Sequence, residues 1–340
     1  MLKLATVKAW QAVNGPMRLA RMIRGWPDLI PHDLVIRVTA PIHPGTAAVQ
    51  EFVGTATVES DADLWVLSTS MSLSYEDLGA PVGIEGSAGG AWITPESWRA
   101  TCLLSVNPGG NVISAGPVSV GHIFGHGEMP CYLPVPLILR AGAQVSIRFF
   151  QRADSASVNG LSIVRANLHG FKRMLSGPEF PVDYFLEPRL IDSLRRYRSN
   201  GQLGHVEPFV LPFSFNAAAS TRGLATDSQT VTIAGSDFLG CYLTGTVHIP
   251  NGTGNLVLNP DTLLQLALND GSRRLQDRPV NISTITGTGK RPHRLPVPLR
   301  MRSGDSLTAI VTHQLKSGTD VGQFDTYLAL SGVRVFKPKR

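Results

Sequence analysis

An internal duplication is the feature that most limits how this 340-residue chain can fold. The stretch "GHGEMPCYLPVPLILRAG", which begins at Gly125, returns as "GTGKRPHRLPVPLRMRSG", which begins at Gly287. An alignment of the two without gaps matches ten of eighteen positions, and glycines and prolines dominate the matches. Because self-similarity at a constant spacing is the mark of a repeated structural unit, the sequence predicts two copies of one fold.

The residues shared by the two stretches are predicted to have a structural role. In the first copy they include Gly125, Gly127, Pro130, Leu133, Pro134, Pro136 and Gly142. Their counterparts in the second copy are Gly287, Gly289, Pro292, Leu295, Pro296, Pro298 and Gly304. Proline cannot donate to a strand ladder, so the Leu-Pro-Val-Pro-Leu segment is predicted to be an edge strand or an extended connection. Leu133, Val135 and Leu137 are expected to face the core, and the glycines before them are expected to form a tight turn.

The same register extends beyond this motif and suggests how the chain is divided. Residues 97–171 align with 259–333, whereas earlier residues need a larger shift, which predicts an insertion in the first copy at the Gly-rich residues 79–90. A short helix is predicted before each copy, over residues 16–25 and again from Pro188, where Leu190, Leu194 and Tyr197 share a face. The predicted divisions are a basic arm with a helix (1–44), a first β-domain (45–172), a linker with a helix (173–213) and a second β-domain (214–340).

Alternating apolar and polar residues indicate that both domains are built from strands. The runs "QVSIRFF" (144–150) and "QTVTIAG" (229–235) have the period of two that is typical of half-buried antiparallel strands. The chain also has 34 Gly and 24 Pro but only 16% charged residues, which favours many short strands over a helical bundle. The predicted fold class is mainly β, with two tandem jelly-roll-like antiparallel β-sandwiches that arose by internal duplication, each preceded by a short helix.

The positive charge is concentrated near the N-terminus. The net charge is +6, and residues 1–44 contain six basic and two acidic residues. Arg18, Arg21 and Arg24 therefore form a candidate interaction arm, which is either a solvated helix face or a contact with an acidic subunit or a polyanion. Nucleic acid is a possible partner that this pattern supports only weakly. No secretory leader and no membrane span are predicted, so the protein is expected to be made in the cytosol.

The sequence predicts no catalytic, metal or cofactor site, and the protein is not expected to be an enzyme. His122, His126 and Glu128 are the one metal candidate, but the corresponding second-copy positions are threonine or lysine and the spacing matches no familiar metal geometry. The chain has an odd number of cysteines, three, without zinc spacing, which argues against a disulfide framework. Asp61, Asp63 and Asp237 are interpreted as ordinary turn residues.

The repeated pattern "GTG…P…LP.PL…R.G" resembles tailed-bacteriophage virion structural proteins, in particular their β-sandwich accessory proteins. The resemblance implies a non-enzymatic cement or minor capsid protein that binds the phage head through multivalent protein contacts and is located in the virion. It also implies an oligomer, most simply a trimer, with a major capsid protein or another virion protein as partner. The alternatives are a major coat protein of the double jelly-roll type, a collar or fibre-base protein, or, in a different class, a carbohydrate-binding module.

Overall fold

The computed structural model describes two β-sandwiches and the segment between them. The described residues are 29–39, 49–75, 100–107, 111–125, 129–152, 161–175, 186, 188–199, 202–217, 224–248, 262–269, 273–289, 291–314 and 324–336. The predicted first helix (16–25), the arginines of the arm, Gly127 and the predicted insertion loop (79–90) lie outside these residues.

In the described residues, the first sandwich contains nine strands and one helical turn. The strands are β1 (Leu29–Thr39), β2 (Val49–Thr57), β3 (Ala62–Tyr75), β4 (Ala100–Asn107), β5 (Asn111–Val112), β6 (Val118–Ser119), β7 (Cys131–Leu139), β8 (Gln144–Arg152) and β9 (Leu161–Met174), and the turn is α1 (Val120–Ile123). One sheet has the order β1-β9-β3-β7, and the other has β2-β8-β4 with β5 and β6 both paired to β4. All of these pairings are antiparallel.

The second sandwich repeats this topology strand for strand. Its elements are β12 (Val206–Ala217), β13 (Leu224–Thr232), β14 (Asp237–His248), β15 (Thr262–Leu268), β16 (Arg273–Arg274), β17 (Val280–Asn281), α3 (Ile282–Ile285), β18 (His293–Met301), β19 (Ser306–Gln314) and β20 (Phe324–Val335). The sheet orders are β12-β20-β14-β18 and β13-β19-β15, with β16 and β17 paired to β15. Two sheets whose strands interleave in this order form a jelly roll, so the predicted fold class is confirmed.

Alternating side chains build a separate core in each jelly roll. In β8, Val145, Ile147 and Phe149 are fully buried, as the period of two predicts. In β19, Leu307 and Ala309 occupy the corresponding places and are also fully buried. Burial of each large apolar side chain stabilises the fold by roughly 1.5–3 kcal/mol, so these strands hold the two sheets of each sandwich together.

Both jelly rolls begin earlier in the chain than the sequence indicated. Strand β1 pairs with β9 along its whole length, although it lies within the predicted arm. Likewise β12 pairs with β20 from Val206 onward, although that residue lies within the predicted linker. The pattern hid both strands because Pro31 in β1 and Pro208 and Pro212 in β12 interrupt the alternation. These prolines are tolerated because β1 and β12 are edge strands of their sheets.

The segment between the jelly rolls contains the predicted second helix. It consists of α2 (Pro188–Leu194), a 3₁₀ turn (Arg195–Tyr197) and the short hairpin β10 (Arg198–Ser199) and β11 (Gln202–Leu203). Leu190, Leu194 and Tyr197 are buried on one face, and they pack with Leu239 and Val333 on the outer side of the β12-β20-β14-β18 sheet. Within the described ranges, no helix has the length and apolar character needed to cross a membrane.

Candidate assembly interface

Strand β7 contains the first copy's Leu-Pro-Val-Pro-Leu segment and forms one edge of its sheet. Its pairing with β3 is interrupted, because Leu137 is opposite Val66 whereas Tyr132 is already opposite Ser68. Residues 133–136 therefore bulge out of the ladder. An edge strand with a bulge accommodates two prolines because neither position has to donate a ladder hydrogen bond.

The bulge turns one predicted core residue away from the core. Leu133 and Leu137 pack against the first hydrophobic core, but Val135 belongs to a different cluster that includes Leu190 of α2. The expectation that all three residues face the core is therefore wrong for Val135. The physical reason is that a bulge shifts the pleat, so strict alternation fails across it.

The second copy has the same bulge but different surroundings. Strand β18 slips against β14 between Gly240 and Tyr242, and Leu295 and Leu299 pack against the second core. Val297 is the counterpart of Val135 and points outward in the same way. Val135 is 1% exposed, whereas Val297 is 74% exposed.

The prolines of the motif also differ in exposure between the two copies. Pro130, Pro134 and Pro136 are buried in the first copy. In the second copy Pro292 and Pro298 are half-buried and Pro296 is exposed. The motif therefore keeps its backbone form in both copies, but only the first copy is covered.

Gly125 and Gly287, the first glycines of the motif, are required by close backbone approach. Gly125 forms a parallel bridge with Ser70, and a Cβ built on it would lie 2.1 Å from the carbonyl oxygen of Met129. Gly287 bridges Thr244 in the same way, and its Cβ would lie 2.0 Å from the carbonyl oxygen of Arg291. Any larger residue would displace the backbone at both positions.

The last glycine of the motif completes a turn that a buried aspartate holds. Gly142 and Gly304 have φ angles of +73° and +95°, a region that favours glycine. In the first copy the backbone N–H of Ala141 donates to Asp63 Oδ1 at 3.0 Å. In the second copy the N–H of Ser303 donates to Asp237 Oδ1 at 3.2 Å. The two aspartates are thus equivalent residues that anchor the turn after β7 and after β18.

Neither aspartate is an ordinary exposed turn residue. Asp63 is 2% exposed and is paired with Arg140 at 2.9 Å and with Arg173 at 3.3 Å. Asp237 is 4% exposed and accepts from the hydroxyl of Tyr197 at 2.9 Å. Burial, followed by that hydrogen bond to Asp237, raises the pKa of the Tyr197 phenol above its usual value. A buried carboxylate needs such partners, and sequence spacing alone did not reveal them.

The two jelly rolls contact each other through backbone hydrogen bonds at a sheet edge. The segment between β5 and β6 lies beside β12, where Ser114 and Val210 form a parallel bridge. The N–H of Ala115 donates to the Val210 carbonyl at 3.0 Å, and the N–H of Val210 donates to the Ile113 carbonyl at 2.9 Å. A second link runs from the N–H of Gly289 to the carbonyl of Gly121 at 3.0 Å. The first copy thus extends the sheet of the second by strand addition.

Apolar side chains also pack across the contact between the two jelly rolls. Val210 and Ala329 of the second jelly roll belong to the hydrophobic cluster of the first. Val135 of the first jelly roll packs in the cluster that α2 forms on the second. A small cavity between the two is lined by Cys131 and Tyr242 among others. The interface is therefore an apolar seam between an edge of one copy and the outer sheet face of the other.

The metal candidate is not supported by the described residues. His122 is buried at this seam, and its Nε2 lies 3.2 Å from Thr246 Oγ1 of the other jelly roll. His126 and Glu128 lie outside the described residues. Among the described residues, no group of three histidine, cysteine or acidic side chains could hold a metal ion.

The three cysteines are buried free thiols. Cys102, Cys131 and Cys241 form no disulfide with one another. Burial raises the pKa of Cys241 to about 12 and that of Cys102 further. Neutral thiols of this kind behave as small apolar side chains.

One polar array was missed by the sequence reasoning. On the outer face of the β1-β9-β3-β7 sheet, Ser70 Oγ lies 2.6 Å from His169 Nε2, and His169 Nδ1 lies 2.8 Å from Asp33 Oδ1. This order of groups is that of a serine hydrolase triad. However, Ser70 is only 1% exposed and also contacts Asn167 Nδ2 at 3.5 Å, so a substrate could not reach its hydroxyl. The array links three neighbouring strands.

Comparisons with known proteins gave similarities to solved structures only. No protein-family model and no curated protein matches the chain. The chain is similar to PBCV-1 VP54, fitted into a reconstruction of the virophage Sputnik (TM-score 0.39, 10% identity, covering 91% of this chain and 95% of that one). It is similar to the STIV MCP (TM-score 0.35, 12% identity, covering 90% and 97%). It is also similar to the cryo-EM structure of Sputnik (TM-score 0.36, 9% identity, covering 91% and 86%).

These low TM-scores carry no argument about function. The jelly-roll class of this chain rests on its own strand order and register. It is a protein of two tandem jelly rolls joined by an apolar seam.

Proposed function

We propose that this protein is a non-enzymatic structural subunit of a virus particle, which acts by associating with itself and with other virion proteins. One observation carries the proposal. The motif edge is buried against a second jelly roll in the first copy, whereas the same edge in the second copy is exposed at Val297, by 74%. An apolar edge that is already used once as an interface is suited to be used again between subunits.

Three positions in the particle are compatible with this role. The accessory role, as a cement or minor capsid protein on a phage head, remains the prediction from the sequence resemblance. The major coat role is favoured by the exposed edge, because a shell needs one contact repeated many times. A collar or fibre-base position would use the same surfaces and is separated from these two by electron microscopy.

Further elements of the proposal concern partners and place. The arm with Arg18, Arg21 and Arg24 would contact an acidic neighbouring subunit, with nucleic acid as the weaker alternative. The subunit would be made in the host cytoplasm and reside in the virion, and a trimer is the simplest oligomer. A carbohydrate-binding module would use exposed aromatic rings. The exposed large apolar side chains of the described residues are instead Ile, Val, Met and Leu.

The test is the solution mass of the full chain, measured by light scattering over a range of concentrations, with electron microscopy of the same fractions. We expect a species that contains several chains. Closed particles from this protein alone would identify a coat protein, and a discrete oligomer that decorates shells of another coat protein would identify an accessory protein. A monomer at every concentration that also ignores such shells would overturn the proposal.

A further inference from the structure

We infer that the exposed edge of the second jelly roll docks on β1, the edge strand of the first jelly roll, in another copy of this chain. The contact would repeat the strand-addition part of the seam that already joins the two jelly rolls within one chain. This inference rests on the proposed structural role, and it names the partner and the residues of that role. The surface that docks, called the docking edge below, consists of residues 275–278 and β18.

The docking edge is exposed where its counterpart is buried. Ile113, next to the strand-addition contact, is 5% exposed, and its counterpart Leu275 is 36% exposed. Val135, at the centre of the seam, is 1% exposed, and its counterpart Val297 is 74% exposed. The two copies share their local backbone, because Ile113 N donates to Leu104 O and Leu275 N donates to Leu266 O. The difference therefore comes from the missing neighbour and not from a different local fold.

The receiving face is the outer side of β1, the edge strand of the β1-β9-β3-β7 sheet, and it is also exposed. Asp33 pairs with His169, and Val210 pairs with Ser331, so Asp33 in β1 is equivalent to Val210 in β12. Val210, on the outward side of β12, lies under the first jelly roll and is only 9% exposed. On β1, Pro31 and Asp33 are exposed, and Val35 is 48% exposed. The outer side of the edge strand is thus covered at Val210 in the second copy and exposed at Asp33 in the first.

Exposed apolar side chains occur on both of these surfaces. Among the described residues, three of the seven exposed large apolar side chains lie on the outer side of β1 or on the docking edge: Val35, Leu275 and Val297. A soluble domain rarely exposes such side chains in groups unless they mark an interaction site. Here the intramolecular seam shows which surface each group fits.

Charge differences between the copies suit a contact between chains. Asp33 replaces Val210 on the receiving face, and its side chain is 61% exposed. Arg278 replaces Gly116 on the docking edge and is exposed. Within the chain, a Cβ on Gly116 would lie 3.7 Å from Pro212, the counterpart of Val35. Arg278 of one chain would therefore lie beside Val35 of the next, within reach of Asp33, where opposite charges steer association.

The proposed contact is heterologous, because the docking edge and the receiving face are different surfaces. Such a contact either closes into a ring or continues as an open chain of subunits. The partner is specified as this chain and not an unrelated protein, since this chain already shows both halves of the contact joined.

Cysteine cross-linking tests the geometry between chains. The single variants Val35→Cys and Arg278→Cys are mixed under mild oxidation, so that a disulfide between them can only join two chains. The matched control replaces Val35→Cys with Val53→Cys, because Val53 is 49% exposed but lies on the other sheet. We expect the first mixture to form dimers at about ten times the yield of the control or more. Equal yields in the two mixtures would overturn the inferred contact.

A charge substitution tests how much Val297 contributes to the free energy of self-association, again with an exposed valine on the other sheet as the control. Val297→Asp is expected to weaken self-association by about tenfold or more, while Val53→Asp leaves it unchanged. Both variants should keep the wild-type melting temperature of the isolated chain, because both side chains are exposed. If the wild type assembles and Val297→Asp assembles equally well, the inferred contact is wrong but the structural role stands. If the wild type does not associate at all, both fail.

Discussion

Val135 and Val297 occupy the same position of the repeat and point the same way from their bulged strands, but one is 1% exposed and the other 74%. The difference arises because Val135 packs against α2 and the second jelly roll, whereas the described residues place no such neighbour over Val297. The same motif is therefore buried in an interface in the first copy and exposed to solvent in the second copy of one molecule.

The buried valine should contribute measurably to stability. Replacing Val135 by alanine removes two methyl groups from a packed seam, so we expect a loss of about 2 kcal/mol in the free energy of unfolding. The same change at Val297 should alter it by less than about 0.5 kcal/mol in the isolated chain. Urea denaturation of both variants gives the comparison, and equal losses would contradict the seam.

The buried aspartate of the first jelly roll should be sensitive to loss of its charge. Asp63→Asn leaves the neighbouring guanidinium of Arg173, whose side chain is 11% exposed, without its carboxylate. We expect a loss of about 3 kcal/mol in the free energy of unfolding, since an unpaired buried charge is costly. Asp61→Asn, at an exposed neighbouring position, is the control and should be neutral. A neutral result at Asp63 as well would rule out its anchoring role.

The first glycine of the motif should resist even alanine. Gly287→Ala places a Cβ about 2.0 Å from the carbonyl oxygen of Arg291, so the backbone must move. We expect a destabilisation of about 1–3 kcal/mol. Gly116→Ala, where the nearest atom would be 3.7 Å away, should be tolerated. Thermal melts of the two variants distinguish a steric clash at Gly287 from a general destabilising effect of replacing glycine by alanine.

A buried histidine should make the second jelly roll sensitive to acid. His313 lies within 3.1 Å of Thr262 Oγ1 and 3.3 Å of Thr326 Oγ1, and burial lowers its pKa below 6.5, with Asp227 opposing this in part. Below about pH 6.5 the unfolded chain therefore gains a proton that the folded chain does not, and stability falls as the pH falls.

We therefore expect His313→Gln to lose less stability than the wild type between pH 7 and pH 5. The greatest possible difference is about 1.4 kcal/mol per pH unit. His205→Gln is the control, since the His205 side chain is 66% exposed. Urea titrations at several pH values measure the slopes, and parallel slopes for His313→Gln and the wild type would refute the assignment.

Ser70 of the Ser70–His169–Asp33 array should not react as a nucleophile in the folded protein. Because Ser70 is 1% exposed, we expect an organophosphate probe to leave it unlabelled in the folded protein, as judged by mass spectrometry of the digest. A structural hydrogen bond of this kind contributes about 1 kcal/mol, so Ser70→Ala should be mildly destabilising. Stoichiometric labelling of Ser70, lost in His169→Ala, would instead indicate a hydrolase.

The sequence predicted most of the fold where one side of a strand is buried and the other is not. Strand β8 alternates cleanly and β19 more loosely, and the constant register of the repeat implied that both copies share one topology. The sequence pattern did not reveal β1 and β12, because their prolines break the alternation. In β12 the alternation is also broken because Val210 is buried on the outer face. A strand covered on both faces does not show a period of two.

The interface was less predictable than the fold. The repeat identified the right segments, but the direction of Val135 depends on a bulge that leaves no mark in the pattern. Ser70, His169 and Asp33 are far apart in the chain, and only the strand register brings them together. Which copy of the motif is covered depends on how the two jelly rolls pack, and that cannot be read from either copy alone.

The seam at Ser114 and Val210 forms between parts of one chain, so it forms at a rate that does not depend on protein concentration. A tether of this kind supplies a local concentration in the millimolar range. If the same contact also joins chains, an assembly with a given number of jelly rolls needs half as many molecular encounters as it would from single domains. Its nucleation would then have a lower reaction order, and assembly would begin while the subunit is still scarce.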